Sequence, residues 1–182
     1  MPAAAIDVLI RGAGPAGCVA ALALCDSKQV RILAGEYAAP AFRPIVLSYA
    51  SRLILERVGV WTALDATTID TIHVSQAGAF GRTVLSAADA GVPALGYVVE
   101  YAELVASLRK PLAELLTTEE LPARCVVHAE GMSPDAEVKR YAQDGLVAVV
   151  DMPVPGEHRH AQQVAGAPVV ALPVNDAVAV AF

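Results

Sequence analysis

A glycine-rich loop near the start of the chain constrains the fold more than any other feature. A mostly apolar run leads into Gly12, Gly14 and Gly17 at G-x-G-x-x-G spacing, and an Ala/Leu-rich helical pattern follows. A strand, a glycine loop and a helix in this order are what the diphosphate of a dinucleotide requires. Gly12 permits the turn, Gly14 leaves room for phosphate oxygens, and Gly17 lets the helix pack on the strand. The loop, including Pro15 and Ala16, is the predicted cofactor-binding segment.

The second strand of this unit is predicted at residues 29–33 and completes a βαβ unit of about 30 residues. In a dinucleotide-binding unit, an acidic residue at the end of this strand binds the ribose hydroxyls. Ala34 occupies that position here, and the first acid is Glu36. Either Gly35 lets the turn deliver Glu36 to the ribose, or the contact is lost. We favour Glu36 as the ribose ligand.

The rest of the sequence alternates between helical and strand patterns. Ser48 is the predicted N-cap of a helix at residues 49–58, in which Leu53, Ile54 and Val58 share one face. A second helix is predicted at residues 101–108. Two short strands joined by Gly78 and Gly81 predict a hairpin. The predicted strands are 71–75, 83–86, 97–99, 124–129, 145–151, 168–171 and 177–182.

Composition and charge exclude several classes of protein. The net charge is −6 without a basic block, which argues against a nucleic-acid partner. No apolar run approaches the roughly 20 residues of a membrane span, and no signal-peptide pattern is present, so we expect a cytoplasmic protein. Cys18, Cys25 and Cys125 are predicted to be buried thiols in a reducing compartment. His158 and His160 are predicted to lie in a polar loop rather than in a metal site, and we expect no metal.

Four stretches of the sequence carry a resemblance to a known family. They are the glycine loop, residues 42–51 with 55–61, residues 72–75 with 80–81 and 95–100, and residues 126–131. Together they resemble the ubiquinone-biosynthesis hydroxylases, which are FAD-dependent aromatic monooxygenases of the para-hydroxybenzoate hydroxylase-like group. Glu130 stands where that group has an aspartate before a glycine, here Gly131. A strand region between residues 108 and 124 and the family's third, flavin-seating motif have no counterpart in this sequence.

The resemblance implies an α/β fold, with a Rossmann-like FAD-binding domain and part of an attached mixed or antiparallel substrate-side sheet. It places the FAD-binding domain at residues 1–70 and 95–135, and the partial sheet domain at residues 71–94 and 136–182. It also implies that Arg43 contacts FAD, that Glu100 lies near the flavin side, and that Glu130 and Gly131 lie near the ribityl-phosphate region.

The implied activity is that of an oxidoreductase that hydroxylates the ring of a polyprenylated phenol with O₂, FAD and NAD(P)H. The protein would supply orientation and exclude water, so no catalytic side chain is assigned. A polyprenyl substrate implies peripheral contact with the inner membrane. Two alternatives stay open: a nicotinamide-dependent Rossmann dehydrogenase, and a non-catalytic, incomplete flavin-binding fragment. The sequence does not distinguish a true fragment from ordered pieces of a longer protein.

Overall fold

The computed structural model of the chain describes residues 6–35, 43–76, 80–131, 137–139, 147–151, 158–164, 167–174 and 177–181. The helices are α1 (Pro15–Leu24), α2 (Tyr49–Arg57), α3 (Ala87–Ala90) and α4 (Tyr101–Arg109), with 3-10 turns at Trp61–Ala63 and Lys110–Leu115. The strands are β1 (Ile6–Arg11), β2 (Val30–Leu33), β3 (Pro44–Leu47), β4 (Thr67–Ile69), β5 (Thr71–Gln76), β6 (Arg82–Ser86), β7 (Gly96–Glu100), β8 (Leu116–Thr117), β9 (Ala123–His128), β10 (Val147–Asp151), β11 (His158–Val164), β12 (Ala167–Val174) and β13 (Ala177–Ala181).

The chain divides into two compact units, each assembled from separated segments. The first unit contains Met1–Arg43, Leu55–Leu64 and Tyr101–Lys139. The second contains Pro44–Ile54, Asp65–Glu100 and Arg140–Phe182. The assignment of a cofactor domain and a substrate-side domain to particular segments stays a prediction.

The first unit is built around a parallel sheet with the strand order β8-β2-β1-β9. The apolar side chains Leu9, Ile10 and Ile32 on the central strands β1 and β2 are completely buried, as expected for a parallel sheet covered by helices. Helices α1 and α4 pack against each other beside this sheet. The buried side chains of Cys18 and Leu108 belong to these helices.

The second unit contains two further sheets. One has the order β3-β7-β4 and is antiparallel, while the other has the order β10-β13-β12-β11-β5-β6. In the larger sheet β5 pairs with β11 in parallel and the other pairs are antiparallel. Tyr97 on β7 is the largest fully buried side chain of the described residues. The α/β class, with a parallel sheet and attached mixed and antiparallel sheets, is therefore confirmed.

Several local expectations need correction. The Ala/Leu-rich pattern predicts a first helix from Pro15 to about Ser27. Helix α1 instead ends at Leu24, because the N–H groups of Ser27 and Lys28 both turn back to the carbonyl of Leu24. Leu53 and Ile54 on α2 are about half exposed. The buried residue of that helix is Leu55, whose carbonyl accepts the N–H of Val60 in a closing turn. The predicted apolar face is therefore not the buried one.

The cysteine and histidine expectations were also partly wrong. Cys18 is buried, but Cys25 is half-buried and Cys125 is exposed. Cys125 lies on β9, which exposes much of its surface and which, among the described strands, pairs with β1 alone. The backbone of His158 and His160 belongs to strand β11 and not to a loop. No helix among the described residues has the length and apolar character needed to cross a membrane.

Candidate functional site

A cleft opens at the carboxyl ends of β1, β2 and β9, the edge at which parallel α/β sheets bind their ligands. Its volume is about 410 Å³, which falls within the range of small-molecule sites. The glycine loop, the residue after β2, the end of β9 and helix α4 all contribute to its walls. The lining residues are Gly12, Ala13, Gly14, Pro15, Ala16, Gly35, Tyr101, Arg109, Ala129, Glu130 and Gly131.

Gly12 makes the turn between strand β1 and the loop, and only glycine fits there. Its φ angle of 103° is left-handed, and a β carbon would stand 2.5 Å from the carbonyl oxygen of Ala129. Two backbone hydrogen bonds hold the turn, one on the side of β2 and one on the side of β9. The Gly12 N–H donates to the Leu33 carbonyl at 3.0 Å, and the Ala129 N–H donates to the Arg11 carbonyl at 2.8 Å. The loop is therefore part of the rigid end of the sheet.

Gly17 and Gly14 differ in what a side chain would meet. A β carbon on Gly17 would overlap the carbonyl oxygen of Gly12, so this glycine is needed for packing of α1 on the loop. A β carbon on Gly14 would meet nothing within 4 Å. Since Gly14 lines the cleft, that open space is the space available to a ligand. Gly12 and Gly17 are thus needed for the turn and for helix packing, while the predicted phosphate contact at Gly14 stays a prediction.

The start of helix α1 is free of the groups that usually cap a helix. Gly14 is the N-cap residue and provides no side-chain hydrogen bond, Pro15 begins the helix, and no acidic residue lies in the first turn. The first N–H groups of a helix have no partner within the helix, and they carry partial positive charge. This loop and helix start therefore fit the diphosphate of a dinucleotide, with space for phosphate at Gly14.

The carbonyl oxygen of Ala13 receives two side-chain donors. Arg109 Nε donates to it at 2.9 Å, and the buried Cys18 Sγ lies at 3.5 Å. Burial raises the pKa of the Cys18 thiol, and the nearby Arg109 charge opposes that rise. The thiol therefore stays protonated and acts as a small packed group rather than as a nucleophile.

Glu130 and His128 form a polar pair at the end of β9. His128 Nδ1 lies 2.8 Å from Glu130 Oε1, with side-chain exposures of 63% and 33%. This hydrogen bond is the largest of the causes that lower the pKa of Glu130 below its ordinary value. At neutral pH the cleft is thus bordered by a carboxylate that is held in one orientation.

Other predicted site residues are placed as follows. Arg43 lies 4.9 Å from the ring centroid of Tyr101, and its carbonyl accepts the Tyr101 N–H at 3.0 Å. Arg43 thus contacts a residue of the cleft wall without being part of the wall. Glu100 ends β7 opposite Pro44, in the second unit. Glu36 lies outside the described residues, so its predicted ribose contact stays a prediction.

Sequence reasoning missed Tyr101 and Arg109 as residues of the cleft. Both come from helix α4, more than 80 residues after the loop, and no local spacing connects them with it. Tyr101 directly follows Glu100, a predicted cofactor-binding residue, and this adjacency is the sequence feature that could have indicated it. Among the described residues, no group of three His, Cys, Asp or Glu side chains could hold a metal ion.

Comparisons with known proteins agree on the fold. No protein-family model matches the sequence. Solved structures of FAD-dependent monooxygenases superimpose on nearly the whole chain, at identities that establish the fold alone. The chain therefore has the fold of the FAD-dependent monooxygenases.

Three of these structures illustrate the likeness. HpxO of Klebsiella pneumoniae, solved with FAD and uric acid, is 16% identical with a TM-score of 0.73, and the match covers 97% of this chain and 56% of HpxO. PqsL of Pseudomonas aeruginosa, described as a probable FAD-dependent monooxygenase, is 18% identical with a TM-score of 0.72, covering 97% and 60%. The p-nitrophenol 4-monooxygenase PnpA of Pseudomonas putida is 15% identical with a TM-score of 0.66, covering 98% and 57%. The chain thus spans less than two thirds of the length of these proteins.

Proposed function

We propose that this chain forms the FAD-binding part of an aromatic monooxygenase. The observation that carries the proposal is the division of roles within the glycine loop. Gly12 and Gly17 are required by backbone contacts, whereas the side of Gly14 that would carry a β carbon is open and Gly14 lines the cleft. A purely structural βα turn has no need of that open space, while a diphosphate does.

The residues of the first unit would each bind a different part of FAD. The N–H groups at the start of α1 would bind the diphosphate, and Gly35 would border the adenosine side at the end of β2. Glu130 would accept a hydrogen bond from a hydroxyl of the ribityl chain, because its low pKa keeps it ionised. Arg43, held against Tyr101, would contact the cofactor, and Gly131 would lie beside Glu130 near the ribityl-phosphate region. Glu100, which belongs to the second unit, would lie near the flavin side. These assignments rest on the cleft geometry and on the sequence resemblance.

The substrate that we propose is a polyprenylated phenol of ubiquinone biosynthesis, and the reductant is NAD(P)H. The reaction converts phenol, O₂, NAD(P)H and a proton into the hydroxylated phenol, NAD(P)⁺ and water. The bound flavin supplies the electron transfer and the activation of O₂, while the protein orients the ring and excludes water. The support for this specificity is the resemblance of two stretches, residues 42–51 with 55–61 and residues 72–75 with 80–81 and 95–100, to the ubiquinone branch. A cytoplasmic protein that touches the inner membrane peripherally would suit such a substrate.

The two alternatives make different predictions for the same cleft. A nicotinamide-dependent dehydrogenase would bind NAD(P)H as its only dinucleotide. A non-catalytic fragment would bind the ADP portion of FAD without turnover. The first βαβ unit is followed by mixed and antiparallel sheets. This arrangement favours the two flavin-binding alternatives over a dehydrogenase domain of alternating strands and helices.

The activity is tested with purified protein, FAD, NAD(P)H and a short-chain prenylphenol under ¹⁸O₂. The proposal expects bound FAD, substrate-dependent NAD(P)H oxidation and one ¹⁸O atom in the phenol by mass spectrometry. Hydride transfer with bound NAD(P)H and no flavin would support the dehydrogenase. Bound flavin without NAD(P)H oxidation would support the non-catalytic fragment.

A further inference from the structure

Arg109 reaches the glycine loop from a distant part of the chain. It is the last residue of helix α4, it is half-buried, and its Nε donates to the Ala13 carbonyl at 2.9 Å. The hydrogen bond anchors the guanidinium group beside the loop. The side chain also forms part of the cleft wall together with Gly14 and Pro15.

Apart from Arg109, the cleft offers little positive charge to a bound diphosphate. The diphosphate of a dinucleotide carries two negative charges, whereas the start of a helix offers the equivalent of about half a positive charge. Residues 12–17 contain no Lys or Arg. Among the described residues that line the cleft, Arg109 is the only cation, and the one other charged residue is Glu130, an anion.

We propose that Arg109 is the cation of the diphosphate subsite, and that it stabilises the bound dinucleotide through its charge. This inference rests on the proposed function, because it assumes that the cleft binds a dinucleotide. The last turn of α4 would thus supply the positive charge that the glycine loop lacks. An arginine suits the role because it remains charged while its Nε is engaged with a backbone carbonyl.

The test compares ADP, adenosine and FAD as ligands of four proteins by isothermal titration calorimetry. Arg109→Gln removes the charge, Arg109→Lys keeps it, and Lys110→Gln removes a charge from the exposed neighbouring position outside the cleft wall. Arg109→Gln is expected to weaken ADP and FAD about tenfold and to change adenosine less than about twofold. Arg109→Lys is expected to recover most of the ADP affinity, and Lys110→Gln to bind like the parent protein.

Salt gives a second readout that needs no variant. Raising NaCl from about 0.05 to about 0.5 M should weaken ADP binding to the parent protein and leave adenosine binding nearly unchanged, because salt screens only the charge term. The ADP response should be smaller in Arg109→Gln.

Two results would overturn the inference while leaving the proposed function intact. The first is ADP affinity in Arg109→Gln equal to that of the parent protein. The second is an equal loss of ADP and adenosine, which would make Arg109 a structural residue only. If Arg109→Gln does not fold, the Arg109→Lys affinities and the salt response decide the question. A parent protein that binds neither ADP nor FAD would instead refute the proposed function itself.

Discussion

Gly17 packs directly against the carbonyl oxygen of Gly12, so that a β carbon at position 17 would overlap that oxygen. This contact joins the first turn of helix α1 to the end of strand β1. It determines where the helix N-terminus lies, and therefore where the free N–H groups of that terminus can bind a ligand. The packing of α1 on the sheet and the shape of the candidate site therefore depend on the same two residues, Gly12 and Gly17.

Gly17→Ala is expected to destabilise the protein strongly. The added methyl group meets backbone rather than a flexible side chain, so helix and strand must separate. Because the clash is with backbone, we expect a cost at the upper end of the range for overpacking, about 3 kcal/mol, which corresponds to a fall in Tm of roughly 6–12 °C for a chain of this size. Calorimetric melting measures the effect. A Tm unchanged from the parent protein would mean that the helix does not pack on the loop in this way.

Gly14→Ala is the matched variant, with the opposite expectation. Gly14 has φ −78° and ψ 179°, angles that any L-amino acid adopts, and its β carbon would enter open space. The stability loss should stay below about 1 kcal/mol, the cost of a poorer N-cap. FAD binding should weaken at least about tenfold, because the methyl group occupies the place of a phosphate oxygen. Flavin fluorescence titration and thermal melting of the same sample separate the two effects. Unimpaired FAD binding would place the diphosphate elsewhere.

Acid unfolding should report the carboxylate of Asp7. It accepts the Gln29 N–H at 3.0 Å and a hydrogen bond from Arg124 at 3.3 Å, and these donors lower its pKa below the ordinary value. A lowered folded-state pKa means that the stabilisation is complete above the ordinary pKa of about 4. It is lost as the pH falls through the lower, folded-state pKa.

The stability difference between the parent protein and Asp7→Asn should therefore be constant near neutral pH and shrink below about pH 4. Urea unfolding at a series of pH values measures this difference. Glu114→Gln, at an exposed position in the same unit, controls for the loss of one negative charge. A difference that persists unchanged to pH 2 would contradict the assignment.

Tyr97→Phe tests the core of the second unit. The Tyr97 ring is 2% exposed, its hydroxyl accepts a hydrogen bond of 2.6 Å from Arg52, and the guanidinium lies 5.2 Å from the ring centroid. Removing the hydroxyl should lower the free energy of unfolding by about 1.5–3 kcal/mol, the value of a hydrogen bond to a charged group, while the ring packing remains. Tyr101→Phe offers a comparison at a half-buried tyrosine of the first unit. Equal stabilities of Tyr97→Phe and the parent protein would show that the Arg52 contact contributes nothing net.

The sequence predicted those parts of the fold that depend on local pattern. The loop at Gly12–Gly17, the N-cap at Ser48, whose Oγ accepts the Ser51 N–H, and the antiparallel pairing of β5 with β6 each follow from turn chemistry or alternation over a few residues. Gly78 of the predicted hairpin turn lies outside the described residues. The strands β3, β4 and β8 were not predicted. Each has two to four residues, too few for an alternation to be visible, and each forms because a distant strand offers it hydrogen bonds.

The candidate site shows the same limit. Glycine spacing indicated the loop, but the contribution of Arg109 depends on helix α4 packing beside α1, which no local pattern reveals. The exposure of Cys125 was not predicted for a similar reason. Burial of a side chain on β9 depends on what covers each face of the sheet, and the apolar neighbours of Cys125 in the sequence do not show this.

Binding of a dinucleotide at the glycine loop is tested most directly by the affinity of the purified protein for FAD, measured by titration with flavin fluorescence as the readout and ADP as competitor. A dinucleotide site at the glycine loop requires saturable binding at one site per chain, displacement of FAD by ADP, and loss of both in Gly14→Ala with a nearly unchanged Tm. An absence of FAD binding in the folded parent protein, or FAD binding that ADP and Gly14→Ala leave untouched, would contradict it.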